Sequence, residues 1–480
     1  MENPFLKKDR TRLLLEWCKS LYRAGYASIP MGWRLGSQYR RLVNQLIESQ
    51  WWSSEQLAEL QNRKLQRLIR HCYEKVPYYR QVMKKQGLKP DDIRSSGDLA
   101  AFPLLNKSKV KEHYEELKAD DFELWNAAPA HSGGTSGDNL VLLLGRSAYL
   151  AERACYVRRY SWAGYHEGDR CVYLRDPLNL KQPDGSPRLW YFKLDEKWLQ
   201  METLGLSDEY LAKLVAKMKA YKTKVISAYP SNMEILARYI LDNHIRIPTV
   251  RSVITSSETV HPWHRTLARR AFGSDIYDWY GQAEHVASAA QCEQGSYHIN
   301  AENVVVEIID SSGKAVVEGS GIIAGTCLDN YAQPLIRYDT GDLAAVTRKP
   351  CPCRRQLPIL ESLHGRVWDS FLRADGTPLS TNTLGVRLNP ILDRGELGRI
   401  QIVQISPEAI EVLVERDSRF CEATLETLLR ALRAETKIDT ITARFVTTIP
   451  KTRTGKHPLF RRVLSPDHAR DGATAFFGDE

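Results

Sequence analysis

Between positions 56 and 75 the apolar residues Leu57, Leu60, Leu65, Leu68, Ile69 and Cys72 recur at helical spacing, which predicts one amphipathic helix. It should stop before Val76-Pro77, because proline lacks the amide that would continue the ladder. A second helix is expected from Ser147 to Tyr160. Beyond it, short apolar runs such as Val225-Ile226-Ser227-Ala228 and Val253-Ile254-Thr255 alternate with helical stretches, the pattern of parallel strands joined by crossover helices. From Asn303 the period changes. Val304 to Ile309, a turn at Ser311-Ser312-Gly313, and Gly321 to Thr326 read as short antiparallel strands of a small barrel or distorted sheet. Beyond Asp369 a compact unit follows, with Ile400, Ile402 and Ile405 before a Ser406-Pro407 turn and the strand Ile410 to Val414. Leu425, Leu428, Leu429 and Leu432 then mark a helix, and Ile441, Ala443 and Phe445 a third strand. The class is therefore α/β, with a large domain over residues 1–368 in which helices flank parallel strands beside a barrel-like antiparallel part. A small α+β domain over 369–480 completes it.

With 480 residues the chain is long enough for two such domains. Hydrophobic content of 43% and charged content of 26% place it among soluble globular proteins. The net charge of +9 is spread along the chain, so it predicts no nucleic-acid partner and suits a protein that handles small anions. No apolar stretch reaches membrane length, and Leu13 to Leu15 sits among Lys7, Lys8, Arg10, Arg12 and Lys19, which is not a secretory signal. A cytoplasmic location is expected. The basic segment from Phe5 to Tyr26 is expected to pack on the main body rather than on a membrane surface. Nine cysteines, odd in number and scattered, argue against a disulfide framework. Cys18, Cys72, Cys155, Cys171, Cys327 and Cys421 read as reduced core or surface residues.

Candidate chemistry begins at His131-Ser132-Gly133-Gly134-Thr135-Ser136-Gly137. Glycine lets the backbone approach an anion, and Ser132, Thr135 and Ser136 add hydroxyl donors to the same concavity. No Gly-Lys-Ser/Thr ending makes it a Walker A loop, and Asp138 stands where a cation would be expected. There follow, in order, Ser256-Ser257-Glu258, Tyr280-Gly281-Gln282-Ala283-Glu284, Tyr338-Asp339-Thr340-Gly341-Asp342, Gly365-Arg366 and Thr454-Gly455-Lys456. This ordered set resembles the adenylate-forming enzymes, and within them the phenylacetate-coenzyme A ligase family with its relatives in capsule and polysaccharide biosynthesis. The N-terminal stretch from Leu65 through Val76-Pro77-Tyr78-Tyr79-Arg80 to Leu104-Leu105-Asn106-Lys107 is similar to that family too.

The resemblance implies a large adenylate-forming domain and ATP-dependent activation of a small-molecule carboxylic acid as an acyl-adenylate. Acyl transfer to coenzyme A would follow. Amide formation, nucleotidyl transfer, or a scaffold that has lost catalysis remain as alternatives. It assigns Ser132, Gly133, Gly134, Thr135, Ser136 and Gly137 to the ATP phosphates and Glu284 to Mg2+, a hard cation that prefers oxygen. Tyr280 and Gly281, with Ser257 and Glu258, would line the adenine, and Asp342 would accept from both ribose hydroxyls. Lys456 would stabilise charge developing between carboxylate and α-phosphate, while Lys451 and Arg453 would be solvated neighbours. Arg366 stands at the junction about which the small domain turns; Trp368 replaces the usual first hinge aspartate, with Asp369 next. The acid pocket is expected to draw on Tyr229, Ser231, Ser256, Gln282 and His285. Separately, Cys292, His298, Cys351 and Cys353 offer three thiolates and one imidazole for a closed structural Zn2+ site. Similar cysteines in some members of the family point the same way; four unrelated residues are the alternative reading.

Overall fold

The computed structural model describes residues 29, 31–122, 126–131, 140–178, 180, 186–193, 198–204, 206–366, 370–449, 451–452 and 456–463. The segment Phe5 to Tyr26, the run from Ser132 to Asp138, and Trp368, Asp369, Arg453, Thr454 and Gly455 lie outside these residues.

The chain opens on helices α1 (Gly36–Ser49), α2 (Ser54–Lys75) and α3 (Pro77–Gln86). A capping box starts α2: the Ser53 hydroxyl accepts from the Gln56 amide, and the Gln56 side chain accepts from the Ser53 amide. The helix ends ahead of Val76-Pro77 as its sequence predicts, because Pro77 opens α3 at the position where a missing amide costs nothing. Strands β1 (Ala127–His131) and β2 (Val141–Gly145) pair antiparallel with His131 opposite Val141. The glycine- and hydroxyl-rich run joins those two ends.

Helix α4 (Arg146–Trp162) leads into a sheet built from β3 (Cys171–Leu174), β4 (Trp190–Lys193), β5 (Trp198–Met201), β6 (Val225–Ala228), β7 (Ser252–Thr255) and β8 (Ile276–Tyr277). Helices α5 (Asp208–Tyr221), α6 (Pro230–Asp242) and α7 (Pro262–Phe272) are the connections between its later strands. The order is β4-β5-β3-β6-β7-β8, parallel throughout except for β4 at the edge. The chain goes from β3 to β5 on one side, then to β6 on the other. The order therefore reverses at β3, and ligands of open α/β sheets bind outside the carboxyl ends at such a point. Arg175, Tyr229 and Ser256 are the first residues beyond β3, β6 and β7.

The second sheet contains β9 (Trp279–Gly281), β10 (Ser288–Gln291), β11 (Tyr297–Ile299), β12 (Val304–Ile309), β13 (Ala315–Val316), β14 (Gly319–Cys327), β15 (Tyr338–Thr347) and β16 (Ile359–Arg366). Its order is β13-β12-β14-β15-β16-β11-β10-β9, all antiparallel. Flat, four strand spacings of about 4.8 Å would separate β9 from β15. Instead Tyr280 on β9 donates its hydroxyl to Asp342 on β15 at 2.8 Å, so the sheet coils back on itself, the distorted barrel expected from the change of period.

After the short hairpin β17 (Phe371–Leu372) and β18 (Pro378–Leu379), helix α8 (Thr381–Leu392) precedes β19 (Arg399–Ser406) and β20 (Ala409–Glu415). Helix α9 (Glu422–Thr436), β21 (Thr440–Phe445) and β22 (Phe460–Arg462) complete a sheet of order β21-β20-β19-β22. The hairpin, helix and strand read from the sequence are all present. Helix α8 and β22 escaped that reading. Gly385 and Pro390 inside α8 disguise it, and glycine is required because a Cβ there would come within 2.5 Å of His261 Nδ1. Leu384 and Leu388 of α8 link Ile400, Ile402 and Leu428 to Val172 and Ile226 of the parallel sheet in one apolar cluster. Among the described residues no helix is long and apolar enough to cross a membrane.

One ion pair is buried deep in the large part. Arg158 of α4 donates to Glu302 at 2.5 and 3.1 Å and to Asn300 Oδ1 at 2.7 Å; Ser49, just inside the end of α1, donates to the same carboxylate at 2.6 Å. Burial works to raise the Glu302 carboxyl, but Arg158 and Ser49 outweigh it and hold it below the ordinary carboxylate range. Glu302→Gln leaves the guanidinium without its counter-charge and is expected to cost about 3 to 5 kcal/mol. A denaturant melt measures it, and replacing both partners by apolar residues of similar volume should recover most of the loss.

Candidate active site

The carboxyl ends of β6 and β7, strand β9 and the middle of the coiled sheet face the small C-terminal unit across a cleft of about 950 Å³. Ser257, Glu258, Tyr280 and Gly281 line it from the large part, with Asp342 and Arg366 beyond them and Lys456 facing them. Residues spread over two hundred positions of sequence therefore meet at one place.

Ser257 has φ of 70°, a left-handed conformation that a serine adopts at a cost. Its carbonyl accepts from Lys456 Nζ at 3.0 Å, and the same ammonium lies 5.4 Å from the ring centroid of Tyr229. Burial lowers the Lys456 ammonium below its usual range; Glu258 opposes that shift, while Arg366 and Arg175 add to it. Glu258 receives the Ser231 amide at 3.0 Å, the Ser231 hydroxyl at 3.1 Å and the His457 amide at 3.3 Å. It thus satisfies the first turn of α6 and ties the small unit to it. Lys451, expected to be solvated, is instead inserted between the parts, donating to the Thr203 carbonyl at 2.7 Å and to Asn232 Oδ1 at 2.8 Å. Burial, with Arg399 adding, brings it down to about 8.

Asp342 and Arg366 are opposite one another across β15 and β16, and the Arg366 Nε donates to Asp342 at 3.3 Å while Tyr280 takes its other oxygen. Burial raises the Asp342 carboxyl, with Arg366 and Tyr280 pulling the other way. Next to Arg366, Gly365 has φ of 88°, which only glycine tolerates well. Glu284 stands apart from the cleft lining and accepts from the Tyr338 hydroxyl at 3.2 Å. Of the residues expected around the acid, Tyr229 donates to Asp176 at 2.7 Å and Ser231 is engaged by Glu258. Ser256 is buried beside Ser257, with the two hydroxyls 3.1 Å apart. His285 pairs with Glu152 at 3.1 Å, and Gln282 keeps both side-chain polar atoms buried without a partner.

No protein-family model matches the chain. A phenylacetate-coenzyme A ligase of Thermus thermophilus is 26% identical over 384 residues, 78% of this chain and 81% of that protein. One of Aromatoleum evansii is 25% identical over 435 residues, 87% and 88% of the two chains. The chain is thus similar over most of its length to the phenylacetate-coenzyme A ligases. The fold agrees: 2-hydroxyisobutyryl-CoA ligase in the postadenylation state, in complex with R3-HIB-AMP, superposes with a TM-score of 0.68 at 18% identity, over 88% of this chain and 92% of that one. The same ligase in the thioesterification state gives 0.53 at 20% identity, over 87% and 93%.

Away from the cleft, the four predicted metal ligands converge. Cys292 after β10, His298 on β11, and Cys351 and Cys353 between β15 and β16 are all buried, with ligand atoms within 4.8 Å of one another. Cys292 and Cys351 sulfurs are 3.7 Å apart, too far for a disulfide. Ligands 2.3 Å from a tetrahedral centre lie about 3.8 Å apart, so this spacing fits zinc. Cys353 Sγ is 3.2 Å from His298 Nε2, and the other ring nitrogen lies 3.2 Å from the Leu357 carbonyl. That outer contact presents Nε2 to the sulfurs, as in a metal-ligating histidine.

Two polar residues at the carboxyl edge of the parallel sheet were not picked out from the sequence: Arg159 on α4, which donates to the Thr255 carbonyl, and Arg175 after β3. The available signal was positional, since Arg175 ends an apolar strand at the carboxyl edge where ligands bind.

Proposed function

We propose that this enzyme joins a carboxylic acid to ATP and then passes the acyl group to coenzyme A. In the first step a carboxylate oxygen bonds to the α-phosphorus and pyrophosphate leaves. In the second the coenzyme A sulfur bonds to the acyl carbon, AMP leaves, and the thiol proton goes to solvent. The observation that carries this reading is the delivery of Lys456 from the small unit into the cleft that Asp342, Arg366 and Tyr280 line.

Each residue then has a task set by its surroundings. The Lys456 ammonium, held by the strained Ser257 carbonyl, is placed to stabilise charge shared by the attacking carboxylate and the α-phosphate. Asp342 is already oriented by Tyr280 and Arg366, and offers its carboxylate to ribose hydroxyls. The run from Ser132 to Gly137 would receive the outer phosphates. Glu284 is the residue assigned to Mg2+, which when bound supplies charge neutralisation for the departing pyrophosphate. Gly365-Arg366 serves as the pivot about which the small domain, from residue 369 onward, withdraws Lys456 before the thiol enters. We also assign zinc to the Cys292, His298, Cys351 and Cys353 cluster. With four protein ligands it has no open position, so its part is to tie the loop between β15 and β16 to the β10–β11 hairpin.

Three outcomes follow. Purified protein is expected to carry about one zinc per chain by metal analysis, and a strong chelator should lower its melting temperature, since binding is coupled to folding; zinc-free protein of equal stability refutes the assignment. Asp342→Asn should weaken ATP binding by about 1.5 to 3 kcal/mol in calorimetry, with unchanged affinity excluding a ribose role. Lys456→Ala should cut acid-dependent pyrophosphate exchange by roughly two or more orders of magnitude, yet still transfer acyl from preformed acyl-adenylate to coenzyme A. Equal loss in both steps would point to general damage, and full exchange would remove Lys456 from the mechanism.

A further inference from the structure

Among the described residues, two arginines near Lys456 and Tyr229, Arg175 and Arg159, make no direct ion pair. The Arg175 guanidinium lies 5.5 Å from the Tyr229 ring centroid and 5.8 Å from that of Tyr173. Lys456 faces the same Tyr229 ring, so the two cations share one aromatic wall. Arg175 Nε and Nη2 are closed off from solvent with no hydrogen-bond partner, and among the described residues Arg175 makes no ion pair. The neighbouring Asp176 is engaged instead by the hydroxyls of Tyr229 and Tyr173, at 2.7 and 3.1 Å.

Arg159 is 1% exposed. It donates once, from Nη2 to the Thr255 carbonyl at the end of β7, at 2.6 Å, and its Nε has no partner. Trp279, Tyr160 and Tyr156 enclose it with ring centroids 5.4, 5.5 and 5.9 Å away. Burial brings this guanidinium down to about 10, still charged at neutral pH. The preceding residue is the contrast: Arg158 is as deeply buried, and although its Nε also lacks a partner its charge is paired with Glu302 and its Nη2 also donates to Asn300. Buried charge is kept only where something answers it. For Arg175 the two unpartnered nitrogens form one edge of the guanidinium, the fork that takes a carboxylate through two parallel bonds.

We propose that the acid this enzyme activates is a dicarboxylic acid, its second carboxylate held by the unpartnered edge of Arg175 with Arg159 reinforcing the field, and its carbon skeleton lying against Tyr229. This rests on the acid-activating reading of the cleft. One carboxylate then faces Lys456 and the α-phosphate while the other fixes the length and charge of the substrate, which makes Arg175 a specificity-determining residue.

Matched acids that differ only in the second carboxylate, hexanoate against adipate and phenylacetate against 4-carboxyphenylacetate, test this with the full chain. Pyrophosphate exchange and calorimetric binding are measured in parallel. The diacid of the pair that fits is expected to be favoured about tenfold or more in kcat/KM, the worth of a charge-assisted bidentate contact. Arg175→Gln should bring that ratio close to one, and Arg175→Lys should fall between. Monoacids used as well as or better than diacids would overturn the proposal and leave acid activation standing. Equal losses of ATP and diacid affinity in Arg175→Gln would place the residue on the nucleotide and overturn it too. Absence of exchange with every acid, ATP still binding, would refute the activation reading; diacid binding weakened by Arg175→Gln would then still support the inference, and no diacid binding would end it.

Discussion

A single buried carboxylate organises this site. Asp342 sits among apolar strands where an unanswered charge is costly, and it is answered from two directions by Tyr280 and Arg366. The first contact draws β9 across to β15 and so sets how tightly the antiparallel sheet coils. The second fixes Arg366 immediately after Gly365, where the chain leaves the large part. Sheet curvature and the position of Arg366 at the cleft go together with satisfying one side chain.

The other half of the site follows from topology. Parallel strands β3, β6 and β7 end together, and the residues just beyond them, Arg175, Tyr229 and Ser256 to Glu258, share one edge because the strand order reverses there. Glu258 serves both sides, satisfying the start of α6 and accepting from His457 of the small unit. This arrangement has an electrostatic cost. Burial lowers Lys451, Lys456 and His457 together, and nearby carboxylates, Glu258 beside Lys451 and Lys456 and Glu234 beside His457, offset only part of that. The contacts of the small unit at the cleft are polar, beside an apolar link through α8.

Much was legible in the sequence wherever local chemistry decides. Apolar spacing located α2 and α4, uninterrupted apolar runs located β6 and β7, and Pro77 marked the boundary between two helices. The ordered motifs singled out Asp342, Arg366 and Lys456, which line one cleft, and the resemblance they carry agrees with the relatives found. Helix α8 was hidden because its Gly385 and Pro390 read as breakers, and its glycine is there for His261, a residue far away in sequence.

What the sequence by itself determined is the set of elements and the kinds of chemistry available, since periodicity, caps and side-chain type are local properties. Only the tertiary structure decided which groups meet. Lys451 was a basic residue near a catalytic one until burial placed it between Thr203 and Asn232. Four cysteine and histidine residues with loose spacing became one buried cluster because β11 pairs with β16, carrying His298 to the cysteine loop. Arg158 and Arg159 are adjacent and chemically identical, yet the turn of α4 points one at Glu302 and the other at the Thr255 carbonyl, with no direct ion pair among the described residues. Whether a buried charge is a structural tie or a binding group depends on what lies opposite it, and that is a property of the folded chain alone.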